Sequence, residues 1–181
     1  MFRSQLNFRQ NADIIEAYCH AGELELTVVR SGNEGGCEPV VQAVFRKLGG
    51  RSALGRDVAS AADLAMVVLL RIPLKSLEHL TRSGSFSDQE ISDLVIPART
   101  HRHRQQKKER LTVEESDRLV RLTRIQALAE DVFDDVTKAN IWLRAPLAEL
   151  SGKTPLELAQ TEAGARLIEQ ILAKIDWGAV A

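Results

Sequence analysis

Residues 87–111, SDQEISDLVIPARTHRHRQQKKERL, constrain the fold more than any other stretch of this chain. Ser87 stands three residues before Glu90, the spacing at which a helix-capping hydroxyl and a glutamate satisfy each other's backbone N–H groups. Ile91, Leu94 and Val95 follow as one apolar face. Pro97 then ends the helix, because it has no N–H to donate and biases Ile96 away from the α region. A second helix can open at Pro97 or Ala98. The spacing predicts two short helices around a tight break, which is the pattern of a helix-turn-helix.

The second helix is strongly basic. Arg99, Arg102, Arg104, Lys107, Lys108 and Arg110 face the single acid Glu109, with His101 and His103 as further donors. Such a row suits phosphate oxygens and base edges, although a solvated helix face has the same composition. Locality favours the first reading. The chain as a whole carries 24 Lys+Arg against 25 Asp+Glu, so any attraction for DNA must come from a local patch. Residues 99–124 hold nine basic and four acidic side chains, whereas 125–181 hold five and nine, so the centre is basic and the C-terminal part acidic. We expect Arg99, Thr100, Arg102 and Arg104 to contact DNA, with Lys107 and Lys108 mainly on phosphates. His101 and His103 lie two apart and diverge on a helix, so they do not form a metal pair.

A length of 181 residues with 44% hydrophobic and 27% charged side chains is ordinary globular composition for one larger domain or two small ones. The longest apolar run, 64–70, is too short to span a bilayer, and MFRSQLNFRQNAD lacks the apolar core of a signal peptide, so a cytoplasmic protein is expected. Cys19 and Cys37 belong to no Cys-x-x-Cys pair, which leaves a disulfide framework or structural zinc site unsupported. No phosphate loop, nucleophile elbow or His-Glu-x-x-His spacing occurs, so neither an active site nor a cofactor is expected. Asp134 and Asp135 read as a solvated helix end rather than a cation site.

Periodicity elsewhere predicts an all-α fold. Residues 1–50 are set apart as an N-terminal arm: 23–30, ELELTVVR, alternates like a strand but has no evident partner, and 39–48 is a possible short helix closed by Gly49 and Gly50. Ser60 with Asp63 caps a helix over 61–70, and Pro73 begins another that carries Leu74, Leu77 and Leu80. Thr112 and Glu115 cap a helix over 113–133 whose stripe is Leu119, Leu122, Ile125, Gln126, Ala129, Val132 and Phe133. The part Leu119, Leu122, Ile125, Ala129 is either internal core or a homodimer surface. A short helix over 137–143 bears Ile141 and Trp142; Thr154-Pro155 starts the next; and 162–175 carries Ala165, Ile168, Leu172 and Ile175. The expected organisation is an arm to 50, a helix-turn-helix domain over 51–111 and a small helical domain over 112–181.

Several of these residues also carry a family resemblance. Glu115-Ser116-Asp117-Arg118 with Arg121, Ala129 and Phe133, Ala139 with Trp142-Leu143, Thr154-Pro155-Leu156-Glu157-Leu158, and Thr161 with Gly164 follow in an order and spacing that resemble the Xre/MbcA/ParS-type antitoxins. Arg99-Thr100, Arg102 and Arg104 resemble that family's helix-turn-helix signature, from which His101 and His103 depart, and Ser151-Gly152 stands where the family's C-terminal part has Gly-Gly. The resemblance implies an Xre-like helix-turn-helix domain followed by a helical toxin-binding domain. It further implies a RES-domain toxin partner that consumes NAD or transfers ADP-ribose, repression of the chain's own operon through operator DNA, and a homodimer within a larger toxin–antitoxin complex. On that reading Trp142, Lys174, Asp176, Trp177 and Gly178 bind the toxin, with Trp177 as the aromatic anchor. The alternative is a helix-turn-helix transcription regulator without a toxin partner.

Overall fold

The computed structural model describes residues 39–176, together with the backbone of 7–10, 13–20 and 23–30. The chain divides into two compact units, Met1–Gly36 and Cys37–Ala181. In the first, β1 (Asn7–Gln10), β2 (Asp13–His20) and β3 (Glu23–Arg30) form an antiparallel sheet in the order β1-β2-β3. The segment left without a partner in the sequence therefore has one: β3 pairs with β2 from Asp13↔Arg30 to His20↔Glu23. The partner was hidden because DIIEAYCH does not alternate apolar and polar residues.

The second unit is all-α among its described residues. It opens with α1 (Pro39–Lys47) and α2 (Gly50–Leu54). Val44 and Leu48 are fully buried and α1 lies against the long central helix, so the helical unit starts well before residue 50, where the arm was expected to end. Gly49 makes the turn between α1 and α2 at φ 94°, where a Cβ would stand 2.7 Å from that of Ala53.

Four capping boxes set helix starts. Ser60 with Asp63 opens α3 (Ala61–Leu69), Ser87 with Glu90 opens α5 (Asp88–Leu94), Thr112 with Glu115 opens α7 (Val113–Phe133), and Thr154 with Glu157 opens α9 (Pro155–Leu158). Between them lie α4 (Lys75–Arg82), α6 (Ala98–Lys107), α8 (Val136–Arg144) and a 3-10 turn, Ala148–Leu150; α10 (Glu162–Asp176) follows.

The central element is α7, packed against α1, α3, α8 and α10. Leu119, Ile125 and Ala129 are 0% exposed and Leu122 1%, so this stripe is internal core and is not available as a dimer surface. A 21-residue helix surrounded by four others has no outward apolar face there. Because α7 serves both the helix-turn-helix side and the C-terminal side, the boundary expected at 111/112 marks a change of partners within one continuous core.

Candidate functional site

The break between α5 and α6 is held by backbone. Val95 and Ile96 both donate to the Ile91 carbonyl, at 3.1 and 3.0 Å, and the Ala98 amide donates to Ser92 Oγ at 3.2 Å. Ile91, Leu94, Val95 and Ile96 are buried, so the turn is anchored while α6 itself buries no residue. This leaves α6 as a helix standing out from the core, as a groove-reading helix must.

Its side chains divide by direction. Arg99, Arg102, His103, Lys107 and Lys108 are exposed, and Thr100 and His101 half-buried. None of Arg99, Arg102, Lys107 and Lys108 forms an ion pair among the described residues, so their charge is available to an anionic partner. Arg104 differs: its side chain is only 14% exposed and its guanidinium pairs with Glu115, whose carboxylate also accepts the Thr112 N–H at 2.8 Å. Of the six residues assigned to DNA by sequence, Arg104 thus fastens α6 to the start of α7. Arg110 is exposed but folds back on the chain, donating to the carbonyls of Leu70 and Arg71 at 3.3 and 3.1 Å.

The motif residues of the C-terminal part do structural work. Ser116, fully buried, accepts the Ile72 N–H at 2.9 Å and donates to the Thr112 carbonyl at 2.7 Å. Arg121 pairs with Asp117, donates to the Gln160 carbonyl at 2.7 Å and lies 3.3 Å from Glu162, tying α7 to the turn after α9 and to the start of α10. Gly164 sits so close to α9 that a Cβ would fall 1.9 Å from the Leu158 carbonyl oxygen. Asp135 caps α8 by accepting the Lys138 N–H at 2.8 Å, which is the helix-end role expected of that pair of acids.

Of the residues assigned to a protein partner, Trp142 is half-buried with its ring centroid 5.6 Å from that of Phe133, and Lys174 and Asp176 are exposed on the last turn of α10. Trp177 and Gly178 lie outside the described residues. Sequence reasoning passed over Val136 and Leu167, which are 55% and 43% exposed, and placed Ile141, 66% exposed, on its helix without a role. The available signal was that they stand off the apolar stripes of α8 and α10.

The two surfaces are joined by polar contacts. Arg144 of α8 grips Glu90 of α5 with two bonds of 2.6 and 3.0 Å, and donates to the Ser85 carbonyl at 3.1 Å and Asn140 Oδ1 at 2.9 Å. Asn140 Oδ1 also accepts from Gln126, which reaches Glu130, and Glu130 pairs with Lys47 at 2.6 Å. Burial pushes the Glu90 carboxyl upward, but the Arg144 guanidinium and the Ser87 N–H outweigh it and hold the group below its ordinary value.

Two family models match this architecture in tandem. Residues 63–124, α3 to the first half of α7, match the antitoxin Xre-like helix-turn-helix domain, and residues 128–178 match the antitoxin Xre/MbcA/ParS C-terminal toxin-binding domain. The chain belongs to the Xre/MbcA/ParS antitoxin family. It is similar to an antitoxin Xre of Pseudomonas putida, 40% identical over 102 residues, covering 56% of this chain and 64% of that protein. An antitoxin Xre of Photorhabdus laumondii is 26% identical over 129 residues, covering 70% of this chain and 87% of its own. A Sphingobium protein named Prs ADP-ribosylating antitoxin is 32% identical over 80 residues, covering 39% of this chain and 50% of its own. The chain thus spans about two thirds or less of the length of two of these three relatives. One matched domain is a helix-turn-helix and the other a toxin-binding domain, which places the chain with non-enzymatic regulators and inhibitors. No helix among the described residues is long and apolar enough to cross a membrane.

Proposed function

We propose that this antitoxin neutralises a RES-domain toxin by covering its active site with the C-terminal domain, and that it represses its own operon as a homodimer whose α6 helices enter the major groove of operator DNA. The observation that carries the reading is the outward, unpaired row Arg99, Arg102, Lys107 and Lys108 on a helix held off the core, in a chain whose other domain matches a toxin-binding domain. The name of the Sphingobium relative, Prs ADP-ribosylating antitoxin, supports a partner whose chemistry handles ADP-ribose. Inhibition is by occlusion: Lys174 takes a place meant for the phosphates of the NAD substrate, and Trp177 anchors the tail beside it. The complex forms in the cytoplasm.

Co-expression with a RES-domain toxin tests this. Leu172 is 1% exposed and belongs to the core, so the informative truncation starts after Asp176. Removing 177–181 is expected to release toxicity while gel-shift affinity for the upstream operator is retained. Alanine at Arg99, Arg102 and Lys107 together is expected to do the reverse. Full rescue by the truncated chain at equal expression rejects the tail as inhibitor, and unchanged DNA affinity in the triple variant rejects α6 as reader.

A further inference from the structure

The helix α3 is apolar on both sides. Leu64 and Val67 face the core at 9% and 4% exposure, whereas Met66 and Leu69 are 46% and 60% exposed, with Ala62 and Ala65 exposed beside them. Positions 62, 65, 66 and 69 recur at steps of three and four, so they form one continuous outer stripe, which Leu70, 52% exposed, extends. No residue from 64 to 70 carries a charge. A helix on a domain surface turns polar residues outward; one that is apolar all round is a helix that something covers.

We infer that α3 is the surface through which two copies of this chain pair, antiparallel across a twofold axis, so that two α6 helices are presented to one operator. The inference rests on the operator-binding homodimer proposed above and supplies its interface, now that the α7 stripe is known to be internal. Three features single out a second copy as the occupant. Near a twofold axis a residue meets its own kind, so only an uncharged face tolerates itself there, and this face is uncharged from 64 to 70. Ala62 and Ala65 are small enough for two helices to approach closely, with Met66 and Leu69 filling the flanks.

The helix ends also differ in charge: Asp63 at the N-terminal end has Arg56 beside it, whereas the C-terminal end holds two arginines. Asp63, in the capping box, marks the N-terminal end of α3, while the exposed Arg71 and Arg110 meet at its C-terminal end, where the Arg71 guanidinium donates to the carbonyls of Leu111 and Arg110. Antiparallel pairing sets Arg71 and Arg110 of each copy near Asp63 of the other, whereas parallel pairing sets these two arginines against their own counterparts. Size then decides strength. A helix of nine residues is about 14 Å long, and one such pair buries less than the roughly 1,200 Å² of a stable standard interface. The dimer is therefore weak in solution and is completed on DNA, where adjacent half-sites hold both copies together.

Sedimentation velocity on the full chain across a concentration series, with and without a duplex of the gene's own upstream region, tests the interface. The unmodified protein is expected to show reversible dimers that DNA strengthens. The double variant Met66→Glu, Leu69→Glu is expected to stay monomeric at the same concentrations, with unchanged circular dichroism, and to bind the duplex without cooperativity and ~10-fold or more weakly. In a Cys19→Ser, Cys37→Ser background, Ala65→Cys is expected to form a disulfide-linked dimer on mild oxidation. A double variant that dimerises like the parent overturns the α3 interface alone. A parent that is monomeric both free and on DNA overturns the homodimer reading, and the inference with it.

Discussion

Replacing Arg144 with methionine keeps most of the aliphatic stem but removes a guanidinium that joins α8 to α5. In the native fold it makes two bonds to Glu90, at 2.6 and 3.0 Å, and further bonds to the Ser85 carbonyl and Asn140. The pair is partly buried, with side-chain exposures of 32% for Arg144 and 20% for Glu90. Breaking a fully buried pair costs about 3–5 kcal/mol because it strands a charge, and exposed pairs contribute about 0–1 kcal/mol. This pair lies between those limits, so a loss of about 2 kcal/mol is expected, which lowers Tm by ~4–8 °C in a unit of this size.

The pH dependence has a definite sign. Glu90 is held below its ordinary value in the fold, so its contribution is present above the unfolded carboxylate pKa and is lost as pH falls through the folded one. The gap between parent and Arg144→Met should therefore be widest near pH 7 and narrow below about pH 4. Thermal unfolding followed by circular dichroism, in a double-mutant cycle with Glu90→Gln, isolates the coupling. A coupling energy below about 0.3 kcal/mol, or a gap that widens in acid, refutes the reasoning.

Two further outcomes follow from single contacts. Gly164→Ala places a methyl group 1.9 Å from the Leu158 carbonyl oxygen, a backbone atom that cannot move aside cheaply, so a loss of about 3 kcal/mol by thermal or urea unfolding is expected. An unchanged melting curve would show that α9 yields. Arg104→Ala removes the partner of Glu115 and is expected to cost about 2 kcal/mol of stability, whereas Arg102→Ala should leave Tm unchanged and weaken operator binding in a gel shift. The opposite pattern would return Arg104 to the DNA-contacting row.

Much of the helical unit was legible because its determinants are local. Each of the four capping boxes acts over three residues, and Pro97 acts on its immediate neighbours, so Ser60, Ser87, Thr112 and Thr154 mark helix starts without knowledge of anything distant. The stripe of α7 announced a buried face in the same way, since a 3.6-residue period is read within one segment. What such a stripe cannot state is which surface covers it. Tertiary structure assigned Leu119, Leu122, Ile125 and Ala129 to the chain's own core and left Met66 and Leu69 of α3 uncovered among the described residues.

The same limit governs the charged residues. Arg102 and Arg104 are alike in sequence, yet one is exposed and the other is consumed by Glu115, eleven positions away. Arg144 finds Glu90 across 54 positions, and Ser116 meets Ile72 across 44. Helix starts depend on backbone groups a turn away, which the sequence always supplies; the partner of a long side chain depends on which distant surfaces the packed core brings within a few ångströms.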